Sequence, residues 1–249
     1  MVGLIRKIGL GGADKQEEVG GPSDTLITLS DPSCIAAEAC RTLRTNLLYS
    51  FANDPPGVII VTSPGTEEGK STICANLGVV LAQAEKSTLV VDCDLRRPQM
   101  HQVFGSHNFR GVVDVLAKQC EPYEAWQEAI PELKVLTSGP VPPNPAELLG
   151  SKRFAEFLEQ MRQEFSYVLI DVPPVRMVSD PAIIAAQGDG VLLVLDPQKT
   201  RKRDVQQSMR SLKTVGARVL GTVTNNVNAS SGELYDYANY SNLYVNRTS

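Results

Sequence analysis

Residues 58–72 read VIIVTSPGTEEGKST, and they constrain the fold more than any other stretch. An apolar β-branched run, Val58–Val61, enters a short polar turn that ends in Gly69-Lys70-Ser71-Thr72, and helix-forming residues follow. That order is strand, phosphate-binding loop, helix. Backbone N–H groups and a helix N-terminus favour anions at such a turn. Lys70 supplies a point charge for phosphate, and Ser71 a hard oxygen suited to Mg²⁺. The usual first glycine of G-x-x-x-x-G-K-[ST] falls on Pro64, so the motif is imperfect.

A chain of 249 residues is enough for one large α/β domain with extensions. With 42% hydrophobic and 21% charged residues it has globular composition, and a formal charge of −4 argues against bulk nucleic-acid binding. No apolar run is long enough to span a bilayer. The N-terminus lacks the apolar core and cleavage site of a signal peptide. Cys34, Cys40, Cys74, Cys93 and Cys120 form no C-x-x-C pair, the pattern of reduced cytoplasmic thiols.

Residues 1–33 are Gly-, Asp- and Ser-rich and read as a flexible leader. A helix is expected over 34–51. Strands are then expected at 58–62, 88–92, 133–137, 167–171, 190–195 and 217–224, alternating with helices at 70–84, 111–117, 151–164, 178–186 and 200–214. The helix after the phosphate loop reads as amphipathic. Strands that alternate with helices, several wholly apolar, predict a mostly parallel central sheet with helices on both faces, over 34–224. Ligands of such sheets bind at the carboxyl ends of strands. Residues 225–249 lose hydrophobic periodicity and read as a disordered tail.

Two apolar strands end in aspartate: 88–92 leads into Asp92-Cys93-Asp94-Leu95-Arg96, and 167–171 into Asp171-Val172-Pro173-Pro174. Mg²⁺ is one reason to hold such charge beside a phosphate loop; a helix cap or an arginine pair is the plain alternative. If strand geometry persists, Asp92, Asp94 and Arg96 project to one side. One carboxylate could then sit near Mg²⁺ while the other accepts a proton, with Arg96 on phosphate charge or paired to an aspartate.

Together these segments resemble the bacterial tyrosine kinases of capsular and exopolysaccharide synthesis. The resemblance rests on the phosphate loop, D-x-D-x-R (Asp92, Asp94, Arg96), the D-x-x-P strand end (Asp171, Pro174) and E-x-x-R-x-x-R (Glu38, Arg41, Arg44). It extends over roughly residues 30–225, with LRRPQMH at 95–101 and LTSGPVPPNPAELLGSKRF at 136–154 among further segments. It implies a P-loop NTPase fold that binds ATP and Mg²⁺. Gly65, Thr66, Glu67, Glu68, Gly69, Lys70, Ser71 and Thr72 would hold the nucleotide, and Ser71 (or Thr72), Asp94 and Asp171 the metal. Lys70, Asp92, Asp94, Asp171 and Arg96 would serve catalysis, with Asp92 the first choice of proton acceptor and Asp94 the next.

The resemblance implies more. Tyr235, Tyr237, Tyr240 and Tyr244, four of the seven tyrosines, would be autophosphorylation sites. Glu38, Arg41 and Arg44, otherwise a salt-bridged helix face, would join protomers head to tail in a homo-oligomeric ring, so that phosphorylation runs in trans. The chain would be cytoplasmic and recruited to the inner face of the plasma membrane by a polysaccharide co-polymerase adaptor, with exogenous protein substrates besides. Where septum-positioning and chromosome-partitioning ATPases carry an extra loop lysine, this chain has Gly65. Two readings compete with a kinase: a regulatory ATPase that switches partners, and a structural regulator of a membrane polysaccharide assembly. Glu67 and Glu68 place two carboxylates near phosphates, and both are expected to point to solvent.

Overall fold

The computed structural model describes residues 21–51 and 54–227. Seven strands form one sheet: β1 (Val58–Thr62), β2 (Thr88–Asp92), β3 (Gln127–Ile130), β4 (Leu133–Leu136), β5 (Tyr167–Asp171), β6 (Gly190–Leu195) and β7 (Val219–Thr224). Their order is β3-β4-β2-β5-β1-β6-β7. All neighbours are parallel except β3, which runs antiparallel to β4. The sequence reading lacked β3. Its four residues, QEAI, lie half-exposed at the sheet edge and carry no alternation to read.

Side chains alternate through the central strands. Val58, Ile60, Leu89, Val91, Val168 and Ile170 feed one core, and Ile59, Val61, Val90 and Leu169 feed the other. Against the second core pack α1 (Ile27–Ser30), α2 (Ile35–Ser50), α3 (Lys70–Ala82) and α4 (Met100–Phe104). Against the first pack α5 (Val112–Leu116), α6 (Pro122–Ala125), α7 (Pro145–Leu149), α8 (Lys152–Glu164), α9 (Asp180–Ala185) and α10 (Lys202–Thr214). The fold is thus the expected α/β arrangement, with both faces of the sheet covered.

Helix α3 is not amphipathic. Leu77, Val79, Val80 and Leu81 are all fully buried, because α3 lies between the sheet and α2. The same packing corrects the leader. Residues 21–33 were read as flexible, yet Leu26 and Thr28 are fully buried. Asn76, a polar residue inside α3, explains why. Its Oδ1 accepts from Thr28 N (3.0 Å) and Thr28 Oγ1 (2.8 Å), while its Nδ2 donates to Thr25 O (2.8 Å) and Thr72 O (2.9 Å). A buried carboxamide needs such partners, and the leader segment supplies three of the four.

On α2, Arg41 Nη1 pairs with Glu38 Oε2 at 2.7 Å, and Arg44 Nη1 donates to Val80 O at 2.9 Å. Arg44 therefore ties α2 to α3. Among the described residues no helix is long and apolar enough to cross a membrane, and the five cysteines are free thiols. Residues 1–20 and the four tail tyrosines lie outside the described residues.

Candidate active site

The sheet register assembles the site. β5 lies between β2 and β1, so Asp92 pairs with Asp171, and Val61 also pairs with Asp171. Three strand ends thereby bring two carboxylates and the phosphate loop to one edge. Lys70 and Ser71 open α3 directly over them. Lys70 Nζ lies 2.8 Å from Asp94 Oδ2 and 3.3 Å from Asp171 Oδ1, and Ser71 Oγ donates to Asp171 Oδ2 at 2.6 Å.

Asp92 and Asp94 do not present together, because the strand ends at Asp92. The fully buried Asp92 carboxylate accepts from the backbone N–H groups of Asp94 (3.1 Å), Gln99 (2.8 Å) and Met100 (2.9 Å). It fixes the loop that leads into α4. Asp94 uses one oxygen on Arg97 N (3.1 Å) and turns the other to Lys70. Arg96 forms a bidentate pair with the buried Asp180, Nε to Oδ2 at 2.8 Å and Nη2 to Oδ1 at 3.2 Å. The choice left open for Arg96 thus falls to pairing with an aspartate, one the sequence reading had not singled out.

Three carboxylates meet one ammonium in a nearly dry setting. Burial alone would lower the Lys70 pKa, but Asp171 and Asp94 outweigh it and hold the ammonium protonated, above its ordinary range. Burial, and then the charge of Asp171, raise Asp92 to about 7. Burial also raises Asp171 above its usual value, against the pull of Lys70 and Ser71. The excess of buried carboxylate fits a divalent cation, and Ser71 adds a neutral oxygen of the type Mg²⁺ takes. No group of three or more His, Cys, Asp or Glu among the described residues is placed to hold a metal by itself. Mg²⁺ commonly completes its shell with water and substrate phosphate.

The phosphate loop is braced from behind. Gly69 adopts a left-handed φ of +91°, and a Cβ there would meet Asn225 Nδ2 at 1.9 Å. Glu67 points outward as expected; its side chain is 82% exposed. Glu68 does not. It is buried, with Oε2 accepting from Gly65 N (3.0 Å) and Oε1 from Thr200 Oγ1 (2.6 Å), while Asn225 Nδ2 donates to its carbonyl (3.1 Å). Lys199 Nζ donates to Glu67 O at 2.8 Å. Glu68 is therefore a strut of the loop, its charge answered by N–H and O–H donors.

The bracing residues Lys199, Thr200 and Asn225 were missed in the sequence. One signal was present: strand β6, VLLVL, also runs into an aspartate. That residue, Asp196, is buried, and it accepts from Gln198 N (2.9 Å) and Asn226 Nδ2 (2.8 Å) to shape the segment carrying Thr200.

A cavity of about 760 Å³ opens over this floor. Thr66, Glu67, Gly69, Lys70, Ser71 and Thr72 form one wall, and Asp94, Arg96, Pro173, Pro174, Met177 and Val178 face them. Gly65, Glu68, Asp92 and Asp171 are not among its lining residues. The volume suits a nucleotide-sized ligand.

A family model described as the NUBPL iron-transfer P-loop NTPase, of the ParA type, matches residues 56–233. Fold and site thus define a P-loop NTPase of the ParA type. The tyrosine-protein kinase YwqD of Bacillus subtilis (strain 168) is 37% identical over 213 residues, covering 85% of this chain and 90% of that protein. The crystal structure of the chimerical protein CapA2B2 superposes with a TM-score of 0.79 at 33% identity, covering 83% of this chain and 92% of that one. The kinase domain of the Escherichia coli tyrosine kinase ETK gives 0.78 at 31%, covering 81% and 80%. The chain belongs to the bacterial tyrosine kinases.

Proposed function

We propose that this chain transfers the γ-phosphoryl group of ATP to tyrosine, and that Tyr235, Tyr237, Tyr240 and Tyr244 of a second copy are its first acceptors. The observation that carries the reading is the shared cavity. One wall is a phosphate loop, and the opposite wall presents one carboxylate, Asp94, paired with the loop lysine. Positioning and charge stabilisation account for most of such a reaction.

In this reading Lys70 leaves the carboxylates as nucleotide enters and moves to the β- and γ-phosphates, where the amides of Gly69 and the start of α3 also donate. Ser71 and Asp171, already hydrogen-bonded to each other, would hold Mg²⁺ together with Asp94. When bound, Mg²⁺ neutralises charge on the phosphate oxygens. The tyrosine oxygen attacks the γ-phosphorus, the bond to the β,γ-bridging oxygen breaks, and ADP leaves. Asp94 takes the phenolic proton. Asp92, the sequence's first candidate for that role, has its oxygens engaged by three backbone N–H groups. It positions the Asp94 loop instead. Arg96, held by Asp180, shapes the cavity mouth.

We further propose that copies associate head to tail through the exposed part of α2, around the Glu38–Arg41 pair, and that a membrane co-polymerase adaptor of capsule or exopolysaccharide export recruits the assembly. A mixing experiment tests the trans step. A Lys70→Met chain with an intact tail is combined with an active chain whose four tail tyrosines are Phe. Phosphate on the Lys70→Met tail supports transfer between copies. An unmodified tail there, alongside self-modified wild type, refutes it.

A further inference from the structure

Residues 172–178 separate the nucleotide cavity from a second, smaller cleft of about 330 Å³, lined by Arg176, Arg203, Gln206, Gln207 and Arg210. Four of these residues come from α10. Positions 203, 206, 207 and 210 recur at helical spacing and are all exposed, so they form one stripe along the helix. The fifth, Arg176, comes from the segment after β5 and is planted against that stripe. Its Nε donates to Gln207 Oε1 at 3.2 Å, and its Nη1 lies 2.9 Å from Asp204 Oδ1.

The charges do not balance. Among the described residues Asp204 is the one carboxylate in ion-pair range, and Arg203 Nε reaches it only at 3.6 Å. Arg210 has no ion-pair partner among the described residues. Three arginines against one aspartate leave an excess of two positive charges in a concave site, on a chain whose formal charge is −4. Guanidinium groups only donate, and the Gln207 carbonyl is already taken by Arg176, so the unused polar atoms of the cleft include many donors and few acceptors. Planar guanidinium forks suit carboxylate and phosphate. A basic helix face that merely meets solvent would not need an arginine from another element fixed across it.

Position gives this charge a use. Arg176 is followed directly by Met177 and Val178, which line the nucleotide cavity. One step of chain therefore separates the two sites. An extended peptide crossing this wall with its tyrosine in the cavity would carry its flanking side chains towards the cleft, at about 3.3–3.6 Å per residue.

We propose that the Arg176–Arg203–Arg210 cleft binds the anionic side chains that flank the acceptor tyrosine of a peptide substrate. The inference rests on the kinase reading of the neighbouring cavity. This chain carries such a peptide, Glu233-Leu234-Tyr235-Asp236-Tyr237. A phosphotyrosine, with about −1.5 to −2 charges, is a stronger ligand for the same cleft, so each transfer favours docking for the next.

Fluorescence anisotropy with the nucleotide-free protein tests the cleft apart from catalysis. The probes are a labelled peptide of residues 232–241 and its Glu233→Gln, Asp236→Asn counterpart, on wild type and on Arg203→Glu, Arg210→Glu. Both substitutions are at exposed positions, and a melting curve checks the fold. The acidic peptide is expected to bind about tenfold more tightly than the neutral one, with that preference lost in the double variant and steep in salt. In steady-state phosphorylation the double variant's defect falls on peptide KM rather than kcat. Equal affinities for both peptides, or for both proteins, overturn the proposal. So does loss of binding to phosphatidylserine vesicles in the double variant without any peptide preference, which assigns the cleft to a membrane surface. Acidic-peptide binding without phosphorylation of either peptide defeats the kinase reading and leaves the cleft standing.

Discussion

The nucleotide cavity and the arginine cleft share the wall 172–178 but are built from opposite materials. In the first, buried carboxylates outnumber Lys70; in the second, the exposed Arg203 and Arg210 and the half-buried Arg176 outnumber Asp204. A buried charge is costly unless its partners are fixed, so every oxygen of Asp92 and Asp94 has a donor or an ammonium beside it. Exposed charge costs little, is screened by salt, and tolerates ligands of varied shape. On the proposed reading, the contrast separates a place for chemistry from a place for recognition, each open to perturbation without the other.

The largest effect is expected at Lys70. Lys70→Met removes the cation common to phosphates and carboxylates, and the rate of phosphate transfer should fall by about 10³-fold. Asp94→Asn should lower kcat by about 10²-fold with little change in melting temperature. Asp92→Asn should cost activity no more than about tenfold, because its carboxylate holds a loop. A greater kinetic loss in Asp92→Asn than in Asp94→Asn would return the proton-acceptor role to Asp92.

Asp92 carries a further signature in pH. Its carboxyl is raised from 3.8 to about 7 by burial, so the folded state binds a proton that the unfolded state has released. Its contribution to stability is complete below about pH 4 and is lost as pH rises through 7. In denaturant titrations the advantage of wild type over Asp92→Asn should therefore shrink from pH 5 to pH 8. A constant difference would contradict the assignment.

The loop strut gives a smaller, purely structural effect. Glu68→Gln keeps one acceptor for Gly65 N or Thr200 Oγ1 and loses the other, which should destabilise the chain by about 1–3 kcal/mol. Chemical denaturation checks it, and a stabilised variant would mean that Glu68 is repelled by its surroundings. Smallest is the change at the rim: Arg203→Glu with Arg210→Glu should leave the melting temperature within a few degrees while altering peptide preference.

How far the sequence could be read follows the same division. Strands β1, β2, β5 and β6 were legible because burial on both sides makes them wholly apolar, and the loop was legible because phosphate binding fixes residue types at fixed spacing. Asp92 and Asp171 were found as charges ending apolar strands, although their neighbourship in the sheet is set by strand order and not by any local pattern. The fate of Glu68 was misread because its partners, Thr200 and Asn225, are 132 and 157 residues away. The packed part of the leader was misread because its anchor is the single carboxamide of Asn76. The arginine cleft had no signature, since Arg176 meets Arg203 and Arg210 only through the packing of α10 beside the loop after β5.

The central claim is that phosphate ends on tyrosine. Mass spectrometry of the full chain after incubation with ATP and Mg²⁺ tests it most directly, with Lys70→Met alongside. Phosphate is expected on residues among Tyr235, Tyr237, Tyr240 and Tyr244 in wild type and on none of them in the variant. Release of inorganic phosphate with all four tyrosines unmodified would contradict it and would make this chain an ATPase on a kinase frame.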